Sequence, residues 1–426
     1  MTVSQWYGMS RRTGSTRIMS GTTRRLPGQG QKYRQFATNM GAENDEKKNK
    51  NRKRKTETTT AAVLESSVSS VASTNKPQED DESRLHKIQE FRDTIGCGIG
   101  QVVFVPSPTA GGIIGLGVLV GDPYLASLAL AGTVAATVSA ARVGLSPPTI
   151  QAGVYGYNGC LVGCAAAVLG PSATSMLAAT TATLVGAAVT PLVVAAVSEL
   201  TDNKVPQWTW AFNIVTLTSL LRTLPIPATP LVATTTEHSD GVVAAAAAAA
   251  AVTVNSSSTT TSSSIQLLDL ITTPLTGISQ IFVVESALSG GLIVGGIATY
   301  SPMLALHALG GSTLGSILGG VVFGAPLHTE ILTGLWGFNS ALTSMAVRVF
   351  FVPSSSSLLL SAGGAAATAA VFGAMHTAFG TALYGTPCLT LPFCLTMSGC
   401  YLLHRHVPTL RLATSPHSPE HNTSST

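Results

Sequence analysis

Charge is what this chain has least of. Only 10% of its 426 residues are Asp, Glu, Lys or Arg, against 45% hydrophobic. The basic residues are also unevenly placed: of 24 Lys and Arg, 18 lie at or before Arg92 and six follow it. A soluble chain of this length would carry charge along all of its domains, so a large soluble core is a poor reading. Catalytic signatures are missing as well. No nucleophile–base pair, phosphate loop or set of metal ligands stands out, which argues against an enzyme and against a resident metal or cofactor. Cys97, Cys160, Cys164, Cys388, Cys394 and Cys400 have no His partner at metal spacing. They sit in or beside apolar runs and read as small buried residues rather than disulfides. No secretory signal with a cleavage site is visible.

What is present is a series of apolar segments. They lie near 98–120, 123–143, 158–170, 173–198 and 206–222, then near 278–298, 301–323, 339–351, 357–380 and 384–403. Apart from the short 158–170 and 339–351, each is long enough to cross the roughly 30 Å hydrocarbon core of a bilayer. The chain therefore reads as an all-α, polytopic membrane protein. Residues 1–90 form a basic tail in which no acid precedes Glu43 and seven of the nine residues from Lys47 to Lys55 are basic. It has too little apolar surface to offset ordering entropy, so a solvated tail is expected. An organelle transit peptide is the alternative, and nucleic-acid binding is a poor third.

The apolar part repeats itself. Gly153-Val-Tyr-Gly-Tyr157-Asn158-Gly-Cys-Leu161 matches Gly334-Leu335-Trp-Gly-Phe338-Asn339-Ser-Ala-Leu342. Gln101 and Gln280, Pro123 and Pro302, and Pro147 and Pro326 recur at an offset of 179. Asn158 and Asn339, Pro206 and Pro387, and Thr209 and Thr390 recur at 181. Each central motif follows a proline and contains glycines, which predicts a short helix that ends at the glycines. Such an end would leave carbonyls free inside a membrane domain. The halves are assigned to 91–222 and 271–406, joined by a low-complexity connector, 223–270, and followed by a tail, 407–426. Five spans per half would invert the second half relative to the first and put a transport path at the repeat interface. Basic residues at both ends place both termini in the cytosol and the connector outside.

The polar side chains shared by the halves are all neutral: Gln101 and Gln280, Asn158 and Asn339, Thr209 and Thr390. Amides and hydroxyls can replace water around a small polar solute but complete the shell of a bare ion poorly. At helical spacing, Gln101 with Phe104, and Phe338 with Leu342, would each share one face and form a narrow slot for something flat and polar. Taken one at a time, such a Thr bonds its own backbone and such a Gln packs between helices, so both readings stand. Glu285 and Glu330 are intramembrane acids without an acid in the other half, which leaves proton coupling open.

These motifs resemble the urea transporter family over roughly residues 91–406. The resemblance is carried by Gln101-Val-Val-Phe104 with Gln280, by Tyr157-Asn158 and Phe338-Asn339, and by an LPxxTxPF-like signature. That signature appears as Thr386-Pro387-Cys388-Leu389-Thr390-Leu391-Pro392-Phe393 and more loosely as Val205-Pro206-Gln207-Trp208-Thr209-Trp210-Ala211-Phe212. The resemblance implies two inverted halves, a homotrimer with one pore per protomer, and passive movement of urea. It implies that Gln101 and Gln280 accept from urea N–H groups at outer and inner sites. Phe104, Tyr157, Leu161, Phe338 and Leu342 would wall the slot, and Thr209 and Thr390 would line its middle. Leu335 stands where many members carry a bulkier slot residue. The expected protein is thus a urea channel of the plasma membrane, with an organelle membrane as the alternative location. Another small neutral solute, or ion-coupled transport, is the alternative function. Two sequons, Asn255-Ser-Ser and Asn422-Thr-Ser, are expected outside and inside respectively.

Overall fold

The computed structural model describes residues 77–169, 175–221 and 267–422. The connector with Asn255, and the tail before Pro77, lie outside the described residues. Of the described residues, those from Lys87 on belong to one compact unit, and the stretch Pro77–His86 falls in another.

Among the described residues the protein is all helical, with one isolated bridge between Phe351 and Leu412. The first half holds α1 (Pro77–Gln101), α2 (Pro108–Gly121), α3 (Pro123–Arg142), α4 (Pro147–Gln151), α5 (Gly156–Val168), α6 (Met176–Leu200) and α7 (Trp210–Leu221). The second holds α8 (Leu267–Ser279), α9 (Ala287–Tyr300), α10 (Pro302–Val321), α11 (Phe338–Phe350), α12 (Ser355–Ala382) and α13 (Leu391–Leu402). A π-type turn, Leu327–Ile331, stands where the first half has α4. α1 begins well upstream of the expected boundary, inside the segment read as tail.

Among the described residues, four helices, α3, α6, α10 and α12, are long and apolar enough to span alone, and α8 with α9 form a pair bent by 79°. The expected single spans 98–120 and 278–298 are each broken near the glutamine. α1 ends in a Schellman turn: Val105 N–H bonds Gly100 O at 3.0 Å and Phe104 N–H bonds Gln101 O at 3.1 Å. The second half repeats it with Val284 to Ser279 and Val283 to Gln280. Such a turn needs a left-handed residue, and Phe104 (φ 64) and Val283 (φ 61) supply it without being glycine. The next helices restart on side-chain caps, with Ser107 accepting from Ala110 N–H and Ser286 from Ser289 N–H. Gln101 and Phe104 therefore do not share a helix face; a turn separates them.

Each short element ends, as expected, just before a glycine at positive φ, Gly153 (77°) or Gly334 (80°). Close helix packing then uses small residues. A side chain at Gly132 would stand 2.1 Å from Gly159 O, which lets α3 lie directly on α5. Between the halves, α2 packs on α9.

The segment 407–422 is docked rather than loose. It pairs with the end of α11 and reaches the start of α10. The end of α6 and the start of α12 lie beside this same segment: Asp202–Lys204 share a surface pocket with Leu412–Ala413, and Val352 N–H bonds Arg411 O at 2.9 Å. Asn422 is buried, so burial alone keeps its amide out of reach in the folded protein, whichever face it lies on.

Candidate functional site

The short elements aim their terminal carbonyls at the glutamines. Gln101 Nε2 donates to Ala152 O at 3.0 Å, and Gln280 Nε2 donates to Thr333 O at 2.9 Å. Both carbonyls sit one residue before the left-handed glycine. Because a carbonyl can only accept, the amide nitrogens are fixed, and each glutamine turns its oxygen away as a remaining acceptor. The two halves thus build the same local device.

Around Gln101 lies a cavity of ≈ 110 Å³, room for several water-sized molecules. Phe104, Tyr157, Trp208, Thr209, Phe350 and Phe393 line it with Gln101. The rings meet edge to face: Phe104 stands 6.4 Å from Phe350 and 6.1 Å from Phe393, and Trp208 stands 5.1 Å from Phe350. Trp208 Nε1 is held by Ser398 Oγ at 3.0 Å, so the indole is a fixed wall. Flat apolar walls with a few oriented polar atoms suit a small, flat, neutral solute.

Thr209 joins this cavity to the second half. Its hydroxyl lies 2.7 Å from that of Thr390, and both side chains are buried. Asn213 orders the pair. Its Oδ1 accepts from Thr390 N–H at 3.2 Å, and its Nδ2 donates to Thr209 O at 2.8 Å and to Thr390 Oγ1 at 2.9 Å. With the amide fixed by two backbone groups, Thr390 Oγ1 accepts from Asn213, and in the hydrogen bond it shares with Thr209 either hydroxyl can donate. When Thr390 donates, the Thr209 hydrogen is left for Cys394 Sγ, 3.1 Å away, or for a solute oxygen. Neither threonine hydroxyl bonds its own backbone.

Asn158 and Asn339 brace the walls. Asn158 Oδ1 accepts from Phe212 N–H at 3.0 Å, and Asn339 Oδ1 accepts from Phe393 N–H at 3.3 Å. Beyond that the halves differ. Asn339 Nδ2 donates to Leu389 O at 3.1 Å, whereas the matching carbonyl, Trp208 O, is taken by the Tyr157 hydroxyl. Asn158 Nδ2 is buried without a partner among the described residues.

The sequence model of the family described as "Urea transporter" matches residues 93–405. Urea transporter 1 of Ovis aries is 30% identical over 318 residues, covering 72% of this chain and 75% of that protein. Urea transporter 1 of Rattus norvegicus is 30% identical over 309 residues, covering 72% and 76%. The chain belongs to the urea transporter family.

Of the residues singled out from the sequence, Gln101, Phe104, Tyr157 and Thr209 line the cavity, and Thr390 adjoins it. Gln280, Leu335, Phe338, Leu342 and Leu161 do not line it. Leu161 and Leu342 are fully buried, and Phe338 packs edge to face on Phe372. Trp208 and Phe393 lie inside the signature segments yet were not selected from the sequence. Phe350 was also missed, because its repeat counterpart is Leu169 and a search for matched pairs passes over it. Neither Glu285 nor Glu330 lines the cavity. Glu330 instead accepts from Trp336 Nε1 at 2.8 Å and faces His376 at 3.5 Å.

Proposed function

We propose that this chain is a passive urea channel of the plasma membrane, assembled as a homotrimer with one pore per protomer. The carrying observation is that Gln101, whose amide oxygen has no hydrogen bond among the described residues, lines a cavity walled by Phe104, Trp208, Phe350 and Phe393. Urea presents N–H groups along its edges and a flat face. Gln101 accepts from the edges, the rings cover the faces, and the Thr209 hydroxyl offers a proton to the urea oxygen. These contacts offset dehydration of a neutral solute. They leave a hydrated ion with too few ligands, because desolvating a full charge costs far more.

Gln280 with Thr333 O forms the equivalent device for the other mouth. The inverted arrangement is supported by α6 ending, and its counterpart α12 beginning, beside the same C-terminal segment. Pro416 and His417 of that segment line the Gln101 cavity. With both termini in the cytosol, the Gln101 mouth is then the inner one, which reverses the order suggested by the resemblance. Exposed apolar side chains on α6 and α12, such as Leu184, Val185 and Leu359, are surfaces for lipid or for neighbouring protomers.

The test is labelled-urea uptake into proteoliposomes with and without a proton or sodium gradient. Uptake that saturates weakly, follows the urea gradient and ignores both ions is expected. Uptake that stops when the ion gradient is collapsed would replace the channel with a coupled transporter.

A further inference from the structure

The Gln101 cavity is not closed by the repeat alone. The last four carbonyls of a helix have no partner within it, and at the end of α11 the chain beyond α13 supplies most of the missing donors. Val347 O is met locally by Phe351 N–H at 3.0 Å. Asn422 Nδ2 then donates to Arg348 O at 3.2 Å and to Val349 O at 2.6 Å, and Ala413 N–H donates to Phe350 O at 2.9 Å. Asn422 Oδ1 accepts from His417 N–H at 3.0 Å, which closes the loop between them. At the far side of the loop, Ser301 Oγ donates to the Glu420 carboxylate at 2.6 Å, and Met303 N–H donates to it at 2.9 Å. Ser301 is itself the N-cap of α10. The segment is therefore built into two helix ends, α11 at its C-terminus and α10 at its N-terminus, where a carboxylate is favoured.

Between these anchors, Pro416 and His417 border the cavity that holds Gln101 and Phe104. His417 is exposed, and its backbone N–H is fixed by Asn422. We infer that residues 411–422 form a fixed rim on the Gln101 mouth and that His417 is a lining residue of the permeation path. This rests on reading that cavity as the path for urea. The rim lies outside the internal repeat, so it gives this mouth a wall that the repeat does not supply to the Gln280 mouth. Entry from the Gln101 side then passes an imidazole and a proline ring before reaching the amide.

Full-length His417→Cys protein in proteoliposomes tests this, since Cys97, Cys160, Cys164, Cys388, Cys394 and Cys400 are all buried. A membrane-permeant benzyl methanethiosulfonate should cut urea flux through His417→Cys severalfold, with recovery on reduction. Dimethylurea should slow the modification, and the wild type should be unaffected. His421→Cys, on the same loop but off the cavity, should be modified with no change in flux. Complete modification at 417, verified by mass, with unchanged flux would overturn the rim. Equal inhibition at 417 and 421 would also overturn it, as a general distortion of the loop. Gln101→Leu measured alongside separates the two claims: if it conducts like wild type, the cavity is not the path at all. If it is impaired while modified His417→Cys is not, only the rim fails.

Discussion

The hydroxyls of Thr209 and Thr390 lie 2.7 Å apart, although 181 residues separate them in the chain. Equivalent residues of two halves thus meet at the repeat interface. They are not interchangeable, because Asn213 occupies the first half where the second has Cys394. The amide, by donating to Thr390, favours the orientation in which Thr390 donates to Thr209 and Thr209, which lines the cavity, keeps its hydrogen for a solute. Thr209→Val removes that donor and is expected to lower urea flux about fivefold, the equivalent of about 1 kcal/mol for one hydrogen bond. Thr390→Val should lower it less, because Asn213 Nδ2 keeps Thr209 O as a partner. Flux through both variants at equal surface density checks the order; a larger effect at Thr390 would contradict the proton direction.

Much of this was legible in the sequence because symmetry constrains it. Gln101 and Gln280 stand out as matched amides in apolar surroundings, and the glycines of the two central motifs mark where each short helix stops. Features that exist once were not legible. Phe350, Asn213 and His417 have no like residue in the other half, so nothing in the repeat drew attention to them. The broken first spans were also missed. In the first half the break does have a local signal, since Pro106 ends the run Val102–Val105 and Pro108 starts the next helix, but the apolar count passed over it. In the second half no proline marks it, and only the fold makes a left-handed turn at Val283 cheaper than a longer helix.

Gln101→Leu and Gln280→Leu each delete an amide oxygen proposed to accept from urea and also strand a carbonyl, Ala152 O or Thr333 O. Roughly tenfold loss of flux is expected for each, about 1.4 kcal/mol. Since the two sites lie in series, the double variant should conduct no better than the worse single variant. Flux near wild type in either would remove that amide from the path.

The orphaned Asn158 amide makes an unusual prediction for Tyr157. Tyr157→Phe releases Trp208 O, which Asn158 Nδ2 can then reach as Asn339 Nδ2 reaches Leu389 O. A buried unsatisfied donor costs about 1–3 kcal/mol, so repairing one offsets the bond lost. The melting temperature in detergent should hold or rise. In the second half, Phe338→Tyr brings a hydroxyl to compete with Asn339, and its melting temperature should fall. A clear drop for Tyr157→Phe would show that Asn158 cannot make the exchange.

Gly153 and Gly144 separate two costs of replacing a glycine. Both have positive φ, 77° and 75°. A methyl at Gly153 would sit 2.4 Å from the backbone of Cys97 and Gly98, while one at Gly144 meets nothing within 4 Å. Gly144→Ala should fold with a loss of about 1–2 kcal/mol, the left-handed penalty alone. Gly153→Ala must also separate α1 from the turn carrying Ala152 O, and should give no monodisperse protein on size exclusion. Gly334→Ala faces the same contact with Gly277, at 2.4 Å, and should behave alike. Equal tolerance at 144 and 153 would mean that the approach of these two backbones is not required.

The Glu420 anchor sets the pH range in which the C-terminal segment stays docked. Partial burial raises its pKa, but hydrogen bonds from Ser301, Met303, its own backbone and Ser418 outweigh this and hold the carboxyl below its usual 4.5. A carboxyl whose folded pKa is depressed adds stability that is present above its unfolded value and is lost as pH falls through the folded one. Docking should therefore be constant from neutral pH down to about 4.5 and weaken only below it. Glu420→Gln loses the charged acceptor at every pH, so its segment should be looser already at neutral pH. Hydrogen exchange at Ala413, whose N–H bonds Phe350 O, reports this when divided by the intrinsic rate at each pH. Protection that decays in the wild type well above pH 4.5 would mean that a group other than Glu420 sets the docking. Protection in Glu420→Gln equal to wild type at neutral pH would remove the carboxylate as the anchor.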